Sequence, residues 1–161
     1  METARFKKFI MLIDGVHKSI GKIKFDIAPT LGVKSVHLLW CYELYTSPEG
    51  LTSAELASAS MIDRSLVSRE LSVLKKGGYV RVEDGGGKKR GYNARIMLTE
   101  KGKELAERIE EYAEQFRLAA GAGIPEEEIT AFYATLEKFH ANLCKLQRSE
   151  DDPLGHNTDL S

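Results

Sequence analysis

The chain has 161 residues and 18.0 kDa, with 42% hydrophobic and 29% charged residues; this suits one globular domain with extended arms and excludes a disordered or fibrous protein. A net charge of −1, two distant cysteines (Cys41 and Cys144) and no apolar run near the ~20 residues of a bilayer span argue against a disulfide framework, a zinc cluster or a membrane protein. The opening METARFKKFIMLIDG has too short an apolar stretch for a secretion signal and lacks a small-residue cleavage site, so a cytoplasmic protein is expected.

Along residues 1–28, Phe6, Phe9, Ile13, Val16, Ile20, Ile23 and Ile27 recur in a 3-4 pattern, the seam of a long helix that packs on another helix. Gly15 and Gly21 weaken it by about 1 kcal/mol each, and Pro29 and Gly32 end it. Residues 34–46, KSVHLLWCYELYT, predict an apolar helix stopped by Ser47-Pro48-Glu49-Gly50. Thr52 and Glu55 form a capping box that starts a short helix running through Ala59. Asp63 caps a second helix over 63–76, which Gly77-Gly78 terminate. On that helix Val67, Leu71 and Leu74 share one face, while Arg64, Ser65, Ser68, Arg69 and Ser72 point elsewhere. YVRVE and ARIMLT, within 79–98, have strand composition and flank the loop GGGKKRGYN. Thr99 caps a helix carrying Leu105, Ile109, Tyr112, Phe116 and Ala119. Pro125 and Glu126-Glu127-Glu128 open the last helix, whose seam is Ile129, Phe132, Leu136, Phe139, Leu143 and Leu146. These seams are too long for the middle of the chain to cover, so a second subunit is expected; residues 149–161 read as a flexible tail.

The near-zero net charge hides a polarity along the chain. Residues 61–95 hold 9 basic and 4 acidic side chains, whereas residues 100–152 hold 7 basic and 13 acidic ones. A cationic middle beside an acidic end is the pattern of a polyanion binder with a separate assembly region. Two short helices joined by a turn, the second with an outward row of Arg and Ser, match a helix-turn-helix. Arginine can bond guanine edges in pairs, and small serines let the helix sit deep in the major groove. The glycine-lysine loop departs from a nucleotide-binding P-loop, because Lys88 is followed by Lys89 and Arg90 and then by a strand rather than a helix. A hairpin after a helix-turn-helix is a wing, and a cationic tip can reach DNA phosphates or the minor groove.

DRSLVSRELSVLKKGGYV, a hairpin, and IMLTEKGKEL, with helices on either side, resemble the MarR (multiple antibiotic resistance regulator) transcription regulators over about residues 6–148. The resemblance implies a mainly α winged helix-turn-helix with a small β-hairpin wing. Residues 1–28 and 99–148 would be dimerisation helices and residues 34–98 the DNA-binding part, with recognition helix 63–76 and wing 79–98. The partners would be a second copy of the chain and double-stranded DNA carrying an inverted repeat. The DNA-contact set is then Ser53, Arg64, Ser65, Leu66, Ser68, Arg69 and Ser72, with Lys88, Lys89 and Arg90 at the wing tip. Most members carry an Asp-x-Arg pair shortly before the Leu-Thr, whereas this chain has Arg90-Gly91-Tyr92 there, a departure that falls on the bracing of the hairpin.

Val16, His17, Ile20, Trp40, Leu44 and Tyr112 are the candidate pocket for a small aromatic effector, as the resemblance suggests. His17, His37 and His140 read as core or surface imidazoles, and no spaced metal-ligand or catalytic set stands out, so neither a metal, a cofactor nor an enzymatic activity is expected. The expected function is a transcriptional repressor released by a small molecule. The alternative is a metal- or thiol-redox-responsive regulator on the same fold, with Cys41 or Cys144 as the sensor.

Overall fold

A computed structural model describes residues 2–83 and 94–148. The chain divides into two compact units, the first ending at Glu114 and the second beginning at Gln115. The elements are α1 (Glu2–Ile27), a 3-10 turn (Ala28–Leu31), α2 (Ser35–Tyr45), α3 (Ser53–Ala59), α4 (Arg64–Lys76), β1 (Val80–Glu83), β2 (Arg95–Leu98), α5 (Glu100–Ala120) and α6 (Glu126–Arg148). This is the mainly α, winged helix-turn-helix class expected from the sequence.

Helix α2 is the centre of the first unit. His37, Leu38, Trp40, Cys41 and Leu44 are all buried, which leaves too little polar surface for an amphipathic helix and explains its continuous apolar run. Leu56 of α3, Val67 and Leu74 of α4, Ile96 of β2 and Leu105 of α5 close around it. Each such side chain contributes about 1.5–3 kcal/mol by leaving water. The Trp40 indole N–H and the Ser60 hydroxyl are buried without a hydrogen-bond partner among the described residues.

β1 and β2 pair antiparallel, from Val80 opposite Leu98 to Glu83 opposite Arg95. A third backbone segment joins them. Leu51 exchanges two hydrogen bonds with Ile96, at 3.0 and 2.8 Å, a bridge that no periodicity announces because it is one residue long. Gly50 makes it possible: its φ is +71°, and a Cβ there would lie 2.6 Å from the Ile96 carbonyl oxygen.

At the chain ends, apolar faces are uncovered. On α1, Ile13, Ile20, Ile23 and Ile27 are half-buried, whereas Phe6 and Val16 are more than half exposed. On α6, Phe132, Phe139, Leu143 and Leu146 are exposed along the expected stripe. The expected tail, 149–161, lies outside the described residues.

Candidate DNA-contact surface

Helix α4 presents its two faces as its sequence dictates. Val67 and Leu74 are buried in the core, so Arg64, Ser65, Ser68, Arg69 and Ser72 all face outward. Leu66 is half-buried at the border, and Ser53 is exposed at the start of α3. Asp63 starts the helix by accepting the Ser65 N–H at 2.8 Å, a bond that holds its carboxyl below the usual carboxylate range. Gly78, at φ +75°, turns the chain out of the far end. Between α3 and α4, Met61 sits exposed at φ +53°, a conformation uncommon for a side-chain-bearing residue.

The other predicted contacts fall differently. Lys88, Lys89 and Arg90 lie outside the described residues. The base of their hairpin is described, and Arg95 braces it. Its Nη1 donates to the Gly50 carbonyl at 2.9 Å and reaches Glu55 Oε2 at 3.2 Å. Glu55 also accepts the Thr52 N–H at 2.7 Å, closing the capping box, and that bond is the main reason its carboxyl is held low. One arginine thus joins hairpin, loop and α3. At the other side, Thr99 Oγ1 donates to the Gly78 carbonyl at 2.6 Å and accepts the Gly102 N–H at 3.1 Å. Lys101 donates to the Gly77 carbonyl at 2.7 Å and lies 4.3 Å from the centre of the Tyr79 ring. The end of α4 is therefore tied to the start of α5.

A carboxylate on α4 escaped the sequence reading. Glu70 is 6% exposed, and its oxygens accept from Lys34 Nζ at 2.8 and 3.1 Å and lie 3.2 Å from His37 Nε2. Arg69 Nε is 3.5 Å away. The Lys34 ammonium is the main reason the Glu70 carboxyl is held below its usual range. His37 is held below its ordinary value by burial, against the opposing pull of Glu70. Its Nδ1 faces the Lys34 backbone N–H at 3.4 Å, so the neutral ring with its proton on Nε2 satisfies both sides. These residues are 33 to 36 positions apart, and only folding brings them together.

Of the six candidate pocket residues, Trp40 and Leu44 are buried one turn apart on α2, whereas Val16, His17 and Tyr112 are exposed. Ile20 is half-buried. Leu44 also lines a cavity of about 220 Å³ with Tyr45, Ser47, Pro48, Arg81, Met97, Leu98 and Lys103. Among the described residues no three His, Cys, Asp or Glu side chains converge as metal ligands, and no helix is long and apolar enough to cross a membrane.

The MarR family model matches residues 32–91, from the turn before α2 to the hairpin. Solved structures repeat the fold beyond that segment. A MarR-family transcriptional regulator from Silicibacter pomeroyi is 24% identical with a TM-score of 0.71, over 81% of this chain and 86% of that one. S. aureus MepR in complex with DNA is 19% identical with a TM-score of 0.73, over 82% and 94%. CouR from Rhodococcus jostii, bound to p-coumaroyl-CoA, is 17% identical with a TM-score of 0.71, over 80% and 88%. No curated protein matches the chain by sequence. With the MarR family model on the segment that holds α4 and a fold around it shared with MarR-family structures, the chain is a winged-helix protein similar to the MarR-family regulators.

Proposed function

We propose that the protein is a homodimer that binds double-stranded DNA sequence-specifically and represses transcription until a small molecule releases it. It is a binding protein and not an enzyme. One observation carries this reading: α4 turns Arg64, Ser65, Ser68, Arg69 and Ser72 outward, while its other face is locked into the core by Val67 and Leu74. A rigidly seated helix edged with arginine and small serines suits a major groove, and the cations of the 85–91 loop suit the neighbouring phosphates. The DNA complex of MepR supports it. Dimerisation is supported by the uncovered apolar faces of α1 and α6, which a second copy would remove from water.

The effector reading draws on the cavity at the foot of the hairpin. Leu44, Tyr45, Met97 and Leu98 give it an apolar wall, and Arg81 and Lys103 stand at its edge. About 150 Å³ suffices for one benzene ring, so an aromatic carboxylate fits it in size and charge. That CouR was solved with p-coumaroyl-CoA supports an aromatic class. The cavity shares Leu44 with the pocket expected from the sequence, and Trp40, one turn away, can report on occupancy. A thiol- or metal-responsive version is the second reading. Burial pushes the Cys41 thiol up to about 12, which leaves no thiolate at neutral pH. That version would rest on Cys144, whose sulfur lies 3.5 Å from His140 Nε2.

The test is fluorescence anisotropy of labelled duplexes across a salt series, with light scattering of the same protein. A dimer is expected, bound to DNA with an affinity that falls steeply with salt. A monomer at micromolar concentration, or affinity indifferent to salt, would refute the reading.

A further inference from the structure

We propose that Glu70 is a positioning residue for DNA reading: clasped by Lys34 and His37, it fixes the rotation of α4 about its own axis and steers the Arg69 guanidinium. The inference rests on the DNA-binding reading and names how its central helix is aimed.

A carboxylate at 6% exposure on this helix is an odd choice for stability alone. A carboxylate shielded this far loses hydration that a half-exposed ammonium offsets only in part; what such a pair can supply is a preference for one arrangement. The apolar anchors of α4 set its depth, but hydrophobic contact has no direction and tolerates a small roll. The polar clasp does have direction. Lys34 Nζ bonds both carboxylate oxygens, at 2.8 and 3.1 Å, and His37 Nε2–H donates to one of them at 3.2 Å. Both partners stand at the start of α2, the helix buried in the middle of the core, which makes them a fixed reference. His37 is itself oriented, because its Nδ1 accepts the Lys34 N–H.

Arg69 meets the same carboxylate from outside. Its Nε lies 3.5 Å from Glu70 Oε1, while the side chain as a whole is 74% exposed. At that separation the carboxylate attracts the inner edge of the guanidinium without a tight bond, and the outer nitrogens stay free to face a base edge. Among the described residues Lys34 and His37 are the other charged or titratable groups on Glu70, so neutralising it removes the steering and frees the roll together.

The experiment compares binding to a duplex selected from random sequence with binding to its scrambled version. It uses the full-length protein and its Glu70→Gln, Lys34→Met, Arg69→Ala and Glu70→Gln/Arg69→Ala variants. Glu70→Gln and Lys34→Met should each reduce the selected-over-scrambled preference, by about five- to tenfold for the former. Glu70→Gln should cost clearly less once Arg69 is Ala, since part of its effect passes through that one contact while the rest comes from the freed roll. If the wild type itself shows no preference, the DNA-reading assignment fails. If the wild type discriminates and both single clasp variants discriminate equally well, or if the losses at Glu70 and Arg69 simply add, the positioning role is overturned. Should Glu70→Gln not fold, Lys34→Met decides alone, because that side chain is 56% exposed and carries no core packing.

Discussion

A histidine neutral in the core makes this protein sensitive to mild acid. The ordinary value for His37 is 6.5, and burial holds the folded-state value below it. The unfolded chain therefore takes up a proton first as pH falls, and stability is lost progressively below pH 6.5. Glu70, held below its ordinary 4.5 chiefly by Lys34, acts in the same direction lower down: its contribution is present above pH 4.5 and disappears as the carboxylate is protonated. The expected result is a Tm that is flat near neutrality and falls as pH drops below 6.5, with a smaller fall in His37→Gln. An unchanged slope in that variant would show that another group controls the response. Cysteine reactivity is the second residue-scale prediction. Cys41 is buried with its thiol pushed up to about 12, whereas Cys144 is partly exposed, so iodoacetamide should label Cys144 in the native protein and Cys41 only on unfolding. Early labelling of Cys41 would mean that α2 opens readily.

At the scale of elements, most of what the sequence reveals is local. Asp63 and Thr52 are legible as caps because their partners lie two and three residues away. The Arg/Ser row of α4 is legible because Val67, Leu71 and Leu74 fix which face is buried. The clasp on Glu70, the Arg95 brace and the Leu51–Ile96 bridge were not legible, since each joins residues more than 30 positions apart. A glutamate directly after Arg69 on a charged helix looks like any solvated charge, although its neighbours three and four positions away, Leu66, Val67, Val73 and Leu74, are all apolar; its partner Lys34 is visible only in the fold. Likewise the effector pocket expected from apolar and aromatic composition gathers Trp40 and Leu44, but exposes Val16, His17 and Tyr112. Composition identifies apolar residues without saying which of them the core consumes. Two outcomes follow for α4. Asp63→Ala should lower the denaturant midpoint, because the first turn of α4 loses its N-cap acceptor; no change would show that the Ser65 N–H finds another acceptor. Arg69→Ala should weaken the specific duplex by about 1–3 kcal/mol and relax one base position, whereas replacing Lys88, Lys89 and Arg90 together should weaken all duplexes alike and flatten the salt slope.

For the whole molecule, the proposed function needs two features: helix α4 with its Arg/Ser face turned outward, and helical ends with exposed apolar side chains. Removing residues 1–27 should abolish the dimer and specific DNA binding with it, because a single helix in one groove buries too little surface for tight, specific association. A two-fold dimer holds two copies of α4, and two copies can read two adjacent major grooves when they lie roughly 34 Å apart. The most direct measurement is therefore selection from random double-stranded DNA with the full-length protein, followed by sequencing of the bound fraction. The expected result is an enriched inverted repeat whose half-site centres are roughly 10 base pairs apart. Enrichment of a lone unrepeated half-site, or of no sequence at all, would contradict it.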